Sequence, residues 1–429
     1  MPEDIFQPQW TKEQARKRAP LPGQGDHAVT RKACGGCGGG RLWQWLDLGK
    51  TPLADRFPAA AGDPEAWHPL GAAVCEDCWL SQITEMVPDR DLFGEGYGFL
   101  TGSSPSAASY FERWAGWALD LFGAQAERGV VEIACNDGTL LQHFAAAGCP
   151  VAGFDPAVPA AAAAQATGLD VRCEPFTWQA AQAIRDERGP AGLVIACNVA
   201  AHVSDLWEFL SAIRMLINPG GVAILEFQYL PRLLAGGQFD HVYHEHRFFF
   251  TLDAFARVCG ESGGLTILAA EQVAAQGGSL RVVIGDGEPS AGVAALRESE
   301  GWLRSRNAYA AAQGHAEFAR AELRSVLAGL AGQGVTVAGY AASAKSCTLL
   351  NFCGITPDMV SHVVDITPRK AGRVTPGTHI PITMPGERAE PGAYLLLAWN
   401  YLGAVVRRER AFLDGGGKLI VPVPVPVIL

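Results

Sequence analysis

Four short apolar runs, at residues 130–135, 151–155, 193–198 and 221–228, are separated by Ala-rich helical stretches. Strands buried on both faces read as continuous apolar runs, and a parallel neighbour is reached only through a helical crossover. A parallel, doubly wound sheet is therefore expected for the middle of the chain. Tyr110, Phe111, Trp114, Trp117, Ala118 and Leu121 precede it at helical spacing, placed to pack on the sheet. A helix near 252–261 and strands near 265–270 and 279–284 would complete that sheet. One long helical stretch, about 293–331, then leads to a second strand–turn–helix unit at 335–345 and further strands near 360–364, 393–397 and 418–421.

At 429 residues the chain exceeds the roughly 250 residues at which single cores stop growing, so two or three domains are expected. The segment before the sheet is rich in Gly, Pro and Cys and lacks a long helical period. It carries two CxxC pairs, Cys34-Gly-Gly-Cys37 and Cys75-Glu-Asp-Cys78. Each tight turn can aim two thiolates at one ion, with Gly35 and Gly36 admitting unusual backbone angles. Four sulfur ligands leave no open position for water, so the expected zinc is structural. A redox reading is weaker, because neither pair opens a helix in a strand–helix unit. The fold class is thus α/β: a small N-terminal zinc-binding domain, a central Rossmann-like domain and a C-terminal α/β Rossmann-like domain. The expected boundaries are a loosely held arm at 1–30, then 31–105, 106–290 and 291–429.

The formal net charge of -10 argues against a nucleic-acid binder, which needs a basic face to displace counterions. No run approaches the ~18 apolar residues of a membrane helix, and the first 18 residues are charged rather than a signal core. A cytoplasmic protein with no membrane partner is expected. The cysteines outside the two pairs, such as Cys135, Cys197 and Cys353, sit in apolar runs and read as small hydrophobes.

Val130-Val-Glu-Ile-Ala-Cys-Asn-Asp-Gly-Thr-Leu-Leu141 reads as strand, tight turn and helix start, with Gly138 admitting close approach of a ligand at the strand's carboxyl end. It lacks the G-x-G-x-x-G spacing that suits a pyrophosphate, and presents Glu132, Asn136 and Asp137. Negative groups suit a cationic sulfonium carrying an amino group. The next strand ends at Asp155, whose carboxylate could accept from both ribose hydroxyls of an adenosine. The alternative is that Asp137 and Asp155 are ordinary turn and cap residues. Asn198, at a third strand end, joins the candidate donor-binding set.

Two later segments supply titratable groups: Asn198-Val-Ala-Ala-His202-Val-Ser-Asp205 and His241-Val-Tyr243-His244-Glu245-His246. Methylation of a carbon needs a proton removed beside a carbonyl and the enolate held, hence a base and hydrogen-bond donors. In an extended segment Tyr243 and Glu245 would share one face and His244 and His246 the other; a turn would mix them. H-x-H also raises metal binding, but no third ligand stands at a recognisable spacing. His244 is the expected bystander.

The order of these motifs, together with Tyr97-Gly-Phe-Leu-Thr-Gly-Ser-Ser-Pro105, Gly339-Tyr-Ala-Ala-Ser-Ala-Lys345 and Thr375-Pro-Gly-Thr-His-Ile-Pro381, resembles the S-adenosylmethionine (SAM)-dependent sugar C-methyltransferases of deoxysugar biosynthesis. The resemblance spans about residues 33–425. It implies a central SAM-binding methyltransferase domain, a C-terminal domain that helps hold a nucleotide-sugar, and a dTDP-linked 4-keto-6-deoxy sugar methylated at C3. By that carry-over Tyr97, His202, Tyr243, Glu245 and His246 form the active-site group. His246 would take the proton, Glu245 would orient or tune it, and Tyr243 with His202 would support the enolate. Ser103 joins the implied substrate contacts. Lys345, at a helix start, could pair with the diphosphate or be a solvated surface lysine; Arg369, Lys370 and Arg373 form a basic cluster that could serve the same group. A monomer is compatible with the sequence.

Four positions depart from the family pattern: Gln276 replaces a frequent His, Asp155 a frequent Glu, Ala341 a customary Gly and Ser346 a common Gly. They bear on the acceptor more than on the reaction. Rival readings are an O- or N-methyltransferase, which needs no enolate, and a non-catalytic zinc-ribbon scaffold. A nicotinamide oxidoreductase built on 335–345 is weaker, because that unit lacks a glycine triplet.

Overall fold

The computed structural model describes residues 27–93 and 100–429. Its N-terminal part is β1 (Val29–Thr30), β2 (Leu42–Pro52), β3 (Trp67–Cys75), β4 (Ser81–Ile83) and β5 (Glu85–Met86). β2 and β3 are antiparallel with Leu42 opposite Cys75, and β4 adds to β3. This register brings the second CxxC pair, at the end of β3, beside the first, which precedes β2. The expected arm at 1–30 ends in structure: Val29 and Thr30 pair with Met86 and Glu85, while residues 1–26 lie outside the described residues. Gly35 and Gly36 are needed for closeness, not for unusual angles. A Cβ at Gly35 would meet the Phe248 ring at 2.7 Å, one at Gly36 would meet Leu80 at 2.7 Å, and the positive φ of +74° falls on Gly38.

The central sheet contains β6 (Val130–Ile133), β7 (Val151–Phe154), β8 (Val171–Arg172), β9 (Ala191–Cys197), β10 (Ile217–Gln228), β12 (Thr266–Val273) and β13 (Ser279–Gly285), in the order β12-β13-β10-β9-β6-β7-β8. Five strands, β8 through β10 in that order, are parallel; β13 is antiparallel to β10 and to β12. The four expected runs are parallel, and the two later strands complete the sheet as an antiparallel edge. Only residues 274–278 join β12 to β13, enough for a hairpin and too few for a crossover. The intervening strand β11 (Phe248–Phe249) leaves this sheet and pairs with β4, so the N-terminal sheet is completed by residues just after His246.

The helices start where side chains satisfy their free N–H groups. Ser104 accepts from Ala107 N ahead of Pro105–Ala126, Asp205 from Trp207 N and Glu208 N ahead of Leu206–Leu216, and Thr251 from Ala254 N ahead of Leu252–Gly263. Gly264, at φ +64°, ends the last of these. The core between sheet and helices is aromatic: Phe227, Phe250 and Phe255 are fully buried with ring centroids 4.7–5.1 Å apart. Each such side chain stabilises the fold by about 1.5–3 kcal/mol.

The single long helix expected at 293–331 is two helices, Ala291–Ser299 and Ala312–Gly332, with 3-10 turns between them. Glu300 stands at the break. Its buried carboxylate turns inward to accept from Leu252 N, Asp253 N and the Tyr229 hydroxyl. The C-terminal sheet, β14 (Val337–Tyr340), β15 (Val363–Val364), β16 (Ile382–Thr383), β17 (Ala393–Leu396), β18 (Lys418–Val421) and β19 (Val427–Ile428), runs in the order β16-β15-β14-β17-β18-β19 and is parallel except for β19. Thr375-Pro-Gly-Thr-His-Ile-Pro381 fastens this part to the first: Glu65 accepts from Gly377 N at 2.9 Å and pairs with His379 Nε2 at 2.6 Å. Among the described residues no helix is long and apolar enough to cross a membrane.

Candidate active site

A cleft of about 1390 Å³ opens over the carboxyl ends of the parallel strands and is lined by residues from all three parts of the chain. Ligands of open α/β sheets bind at such ends. The volume exceeds the ~300–1,000 Å³ of a pocket for one small molecule, so two molecules fit side by side.

One end is acidic. Glu132, on β6, is 4% exposed and its Oε2 has no hydrogen-bond partner. Burial, then the carboxylates of Asp155 and Asp137, push its pKa well above the usual carboxylate range. Removal of water from a carboxylate with a free oxygen is costly, and a cationic ligand offsets that cost. Asn198, at φ +56°, lines the same wall with its Oδ1 unpartnered. Asn136 also lines it, while its Oδ1 accepts from Thr101 N at 2.8 Å.

The carboxylates expected to meet the donor are more heavily used by the protein itself. Asp155 lines the cleft, yet its two oxygens accept from Asn136 N at 2.9 Å and Ala157 N at 2.8 Å, so only second lone pairs remain for ribose hydroxyls. Asp137 takes Gly102 N on one oxygen and the Thr139 hydroxyl on the other, and neither Asp137 nor Gly138 lines the cleft. Gly138, at φ +77°, is required because a Cβ there would meet Leu169 Cδ1 at 2.4 Å. These two residues build the turn and pin the loop at 101–103 to it.

Midway along the cleft, residues 243–246 form a β-turn in which His246 N donates to Tyr243 O at 2.9 Å. The turn mixes the two faces of an extended strand, so Tyr243 meets His246 with ring centroids 3.9 Å apart. His246 Nδ1 lies 2.7 Å from the carbonyl of His241. A carbonyl can only accept, so Nδ1 carries the hydrogen and Nε2 the lone pair. The Tyr243 hydroxyl then donates to Nε2 over 2.6 Å. His246 is 2% exposed, and burial, with His202 and Lys345 adding to it, holds it neutral with its pKa well below the usual value. The orienting group expected in Glu245 is thus the His241 carbonyl. His202 packs edge-on against His246 at 4.9 Å and is lowered to about 4 by burial, then by Arg247.

Glu245 lines the cleft with Oε2 unpartnered. Burial and then Asp55 push it up to about 8, so it is protonated at neutral pH. Asp55, from the loop after β2, was not legible as a site residue; only the chain's return over the central sheet brings it there. His244 instead bonds to Pro69 O at 3.1 Å and does not line the cleft. Tyr97 lies outside the described residues.

The far end is formed by the C-terminal sheet. Lys345 is not a surface lysine: it is 6% exposed, its Nζ bonds Asn400 Oδ1 and stands 5.2 Å from the Trp399 ring. Burial lowers its pKa to about 8, with Asp240 opposing. Ser103 and Arg369 line the cleft as exposed residues. Lys370 donates to Ala342 O and Arg373 to Phe57 O, so both are largely engaged by the fold. Ala341, where the family pattern has Gly, adopts φ +70°, a conformation glycine takes without steric cost.

The four cysteine sulfurs lie within 4.8 Å of one another, with Cys34–Cys78 at 3.5 Å and Cys37–Cys75 at 3.6 Å. Tetrahedral zinc with Zn–S bonds of ~2.3 Å needs edges of ~3.8 Å, so the set fits. Gly36 N, Gly39 N and Asp77 N donate to sulfurs of Cys34, Cys37 and Cys75 at 3.3–3.4 Å, which favours thiolates.

Three family profiles match in chain order: a zinc binding domain over residues 34–93, a methyltransferase domain over 107–270 and a C-methyltransferase C-terminal domain over 274–424. The C-methyltransferase NovU of Streptomyces niveus is 33% identical over 402 residues, covering 90% of this chain and 94% of that one. The chain belongs to the C-methyltransferase family. A ubiquinone biosynthesis O-methyltransferase of Methylobacterium sp. (strain 4-46) is 29% identical over only 157 residues, 32% of this chain and 59% of the relative. Among solved structures, magnesium protoporphyrin IX methyltransferase (ChlM) from Synechocystis PCC 6803 with bound SAH shares 17% identity at a TM-score of 0.32, over 41% of this chain and 82% of that one. This C-methyltransferase is a SAM-dependent enzyme with an N-terminal zinc-binding domain. Glu132 supplies a buried carboxylate with one free oxygen, which suits a cationic ammonium or sulfonium group of the donor, and the cysteine quartet suits the metal.

Proposed function

We propose that this C-methyltransferase methylates C3 of a nucleotide-linked, dTDP-bearing 4-keto-deoxysugar after removing the C3 proton. The observation that carries this reading is the Tyr243–His246 pair, an imidazole fixed with its Nε2 lone pair toward a tyrosine hydroxyl in the middle of the cleft. Oxygen or nitrogen acceptors need no enolate; a carbon beside a ketone does, and with it a base placed against the C–H and donors for the oxygen. The cleft's acidic end suits the donor, and the end bearing Lys345 and Arg369 suits an anionic diphosphate. The working domains are 31–105, 106–290 and 291–429, each contributing lining residues.

When bound, SAM supplies a methyl group activated as an electrophile. Glu132, Asn136, Asn198 and Asp155 hold and orient it. Directly or through the phenol of Tyr243, the proton drawn from the acceptor carbon ends on Nε2 of His246. His202 shields the pair from water, and protonated Glu245 is a hydrogen-bond donor able to hold an oxygen that gains negative charge. Positioning of the two substrates side by side supplies much of the remaining rate.

Incubation with SAM and a panel of nucleotide-linked ketosugars tests this. The expected product is heavier by about 14 daltons, a methyl in place of a hydrogen, with the new methyl bonded to carbon by NMR. An O-methyl signal, or no product from any ketosugar, counts against it.

A further inference from the structure

His241 ends the 3-10 turn Phe239–His241 and lines the cleft, yet neither nitrogen of its ring has a hydrogen-bond partner, and it is only 2% exposed. Its backbone carbonyl is occupied with His246; its side chain is not. A buried polar group without a partner costs stability, and where it also lines a cleft a ligand atom can satisfy it. The ring is held on two sides. It stacks with His246 at 6.2 Å and 27°, and meets Trp399 edge-on at 5.8 Å. Trp399 is itself anchored, donating from Nε1 to Asp240 Oδ2 at 2.6 Å. Burial and the nearby Lys345 ammonium keep the imidazole neutral, so it offers one N–H donor and one lone pair.

A fixed ring of that kind, between the base and the end of the cleft that bears Lys345, matches an oxygen that can both accept and donate. We propose that the His241 imidazole binds an oxygen of the acceptor adjacent to the carbon that loses its proton, on the side facing Lys345. His241 thus has two tasks: its carbonyl sets the tautomer of His246, and its ring sets where the acceptor lies against His246. This assignment rests on the proton-abstraction reading above.

The test uses the full zinc-loaded chain with dTDP-4-keto-6-deoxyglucose as probe, comparing wild type with His241→Phe and His241→Asn. Both variants keep the backbone carbonyl; Phe keeps the ring and loses the hydrogen bonds, whereas Asn keeps a donor and an acceptor. H241F is expected to raise the KM for the probe, or slow deuterium uptake beside its ketone, about 10- to 100-fold. SAM affinity by calorimetry stays unchanged, and H241N recovers part of the loss. H241F with wild-type KM and exchange overturns the assignment, as do equal losses in both variants accompanied by lost SAM affinity, which mark a packing role. A wild-type enzyme that takes up no deuterium sinks the proton-abstraction reading itself, and is told apart by that control.

Discussion

The hydroxyl of Tyr243 donates to Nε2 of His246 across 2.6 Å, while the opposite nitrogen of the same ring is fixed by the His241 carbonyl at 2.7 Å. Both contacts depend on the β-turn at 243–246. General-base catalysis contributes about 10²–10⁴-fold. His246→Ala is accordingly expected to lower kcat by about 10³-fold, and Tyr243→Phe by about 10- to 100-fold. SAM affinity, measured by calorimetry, stays near wild type in both. A parallel collapse of SAM binding would show that the pair supports the fold rather than the chemistry.

Glu132 links donor affinity to pH. Its pKa is raised by burial, then by Asp155 and Asp137, so the protein without donor favours the protonated acid and a cation favours the carboxylate. SAM binding should therefore tighten as pH rises through the raised pKa of Glu132, with proton release. Glu132→Gln should weaken SAM binding and flatten that slope. Calorimetry in buffers of different ionisation enthalpy measures both; a pH-independent wild-type affinity contradicts the assignment.

Glu245 has the same sign in stability. Its folded-state pKa, raised to about 8 by burial and Asp55, lies above the ~4.3 of an unfolded chain. The folded protein then binds more protons, so this contribution is full below the unfolded value and is lost as pH rises towards the folded one. Lys345, lowered to about 8, has the opposite sign, mainly from pH 8 upward, and is common to wild type and the Glu245 variant. Between about pH 6.5 and 8, denaturant titrations should show wild type losing stability while Glu245→Gln loses less, a difference on the order of 1–2 kcal/mol. Identical slopes would refute the buried, protonated state.

Zinc removal should reach the active site. Phe248–Phe249, two residues beyond His246, completes the sheet that also carries Cys75, and Asp55 enters the cleft from the same part of the chain. A strong chelator, or Cys37→Ser, is expected to lower Tm by several degrees and to depress kcat/KM, with about one zinc per chain lost by elemental analysis. Full activity and unchanged Tm in zinc-free protein would contradict that coupling.

Much of this was legible in the sequence because it rests on local periodicity and spacing. The strands at β6, β7, β9 and β10 are bare apolar runs, and two CxxC pairs have little else to be in a helix-poor segment. The failures are non-local. Nothing near 293–331 announces that Glu300 folds back to cap the helix at Leu252, and nothing near Phe248 announces that its strand serves another sheet. Asp137 and Gly138 sit in the expected turn, and their proximity to Gly102, Thr139 and Leu169 was not readable from it. Asp55 and the second face of His241 become visible only when distant segments converge. Lys345 illustrates the limit: position at a helix start was readable, while its burial beside Trp399 and Asn400 was not.

The most direct measurement is hydrogen exchange in heavy water, without SAM, on the carbon beside the ketone of dTDP-4-keto-6-deoxyglucose. Wild-type enzyme is predicted to wash deuterium into C3, and the His246→Ala enzyme, still binding SAM, is predicted to leave that position protonated. Equal exchange by both proteins, or none by a wild-type enzyme that methylates the sugar carbon, would contradict proton removal by the Tyr243–His246 pair.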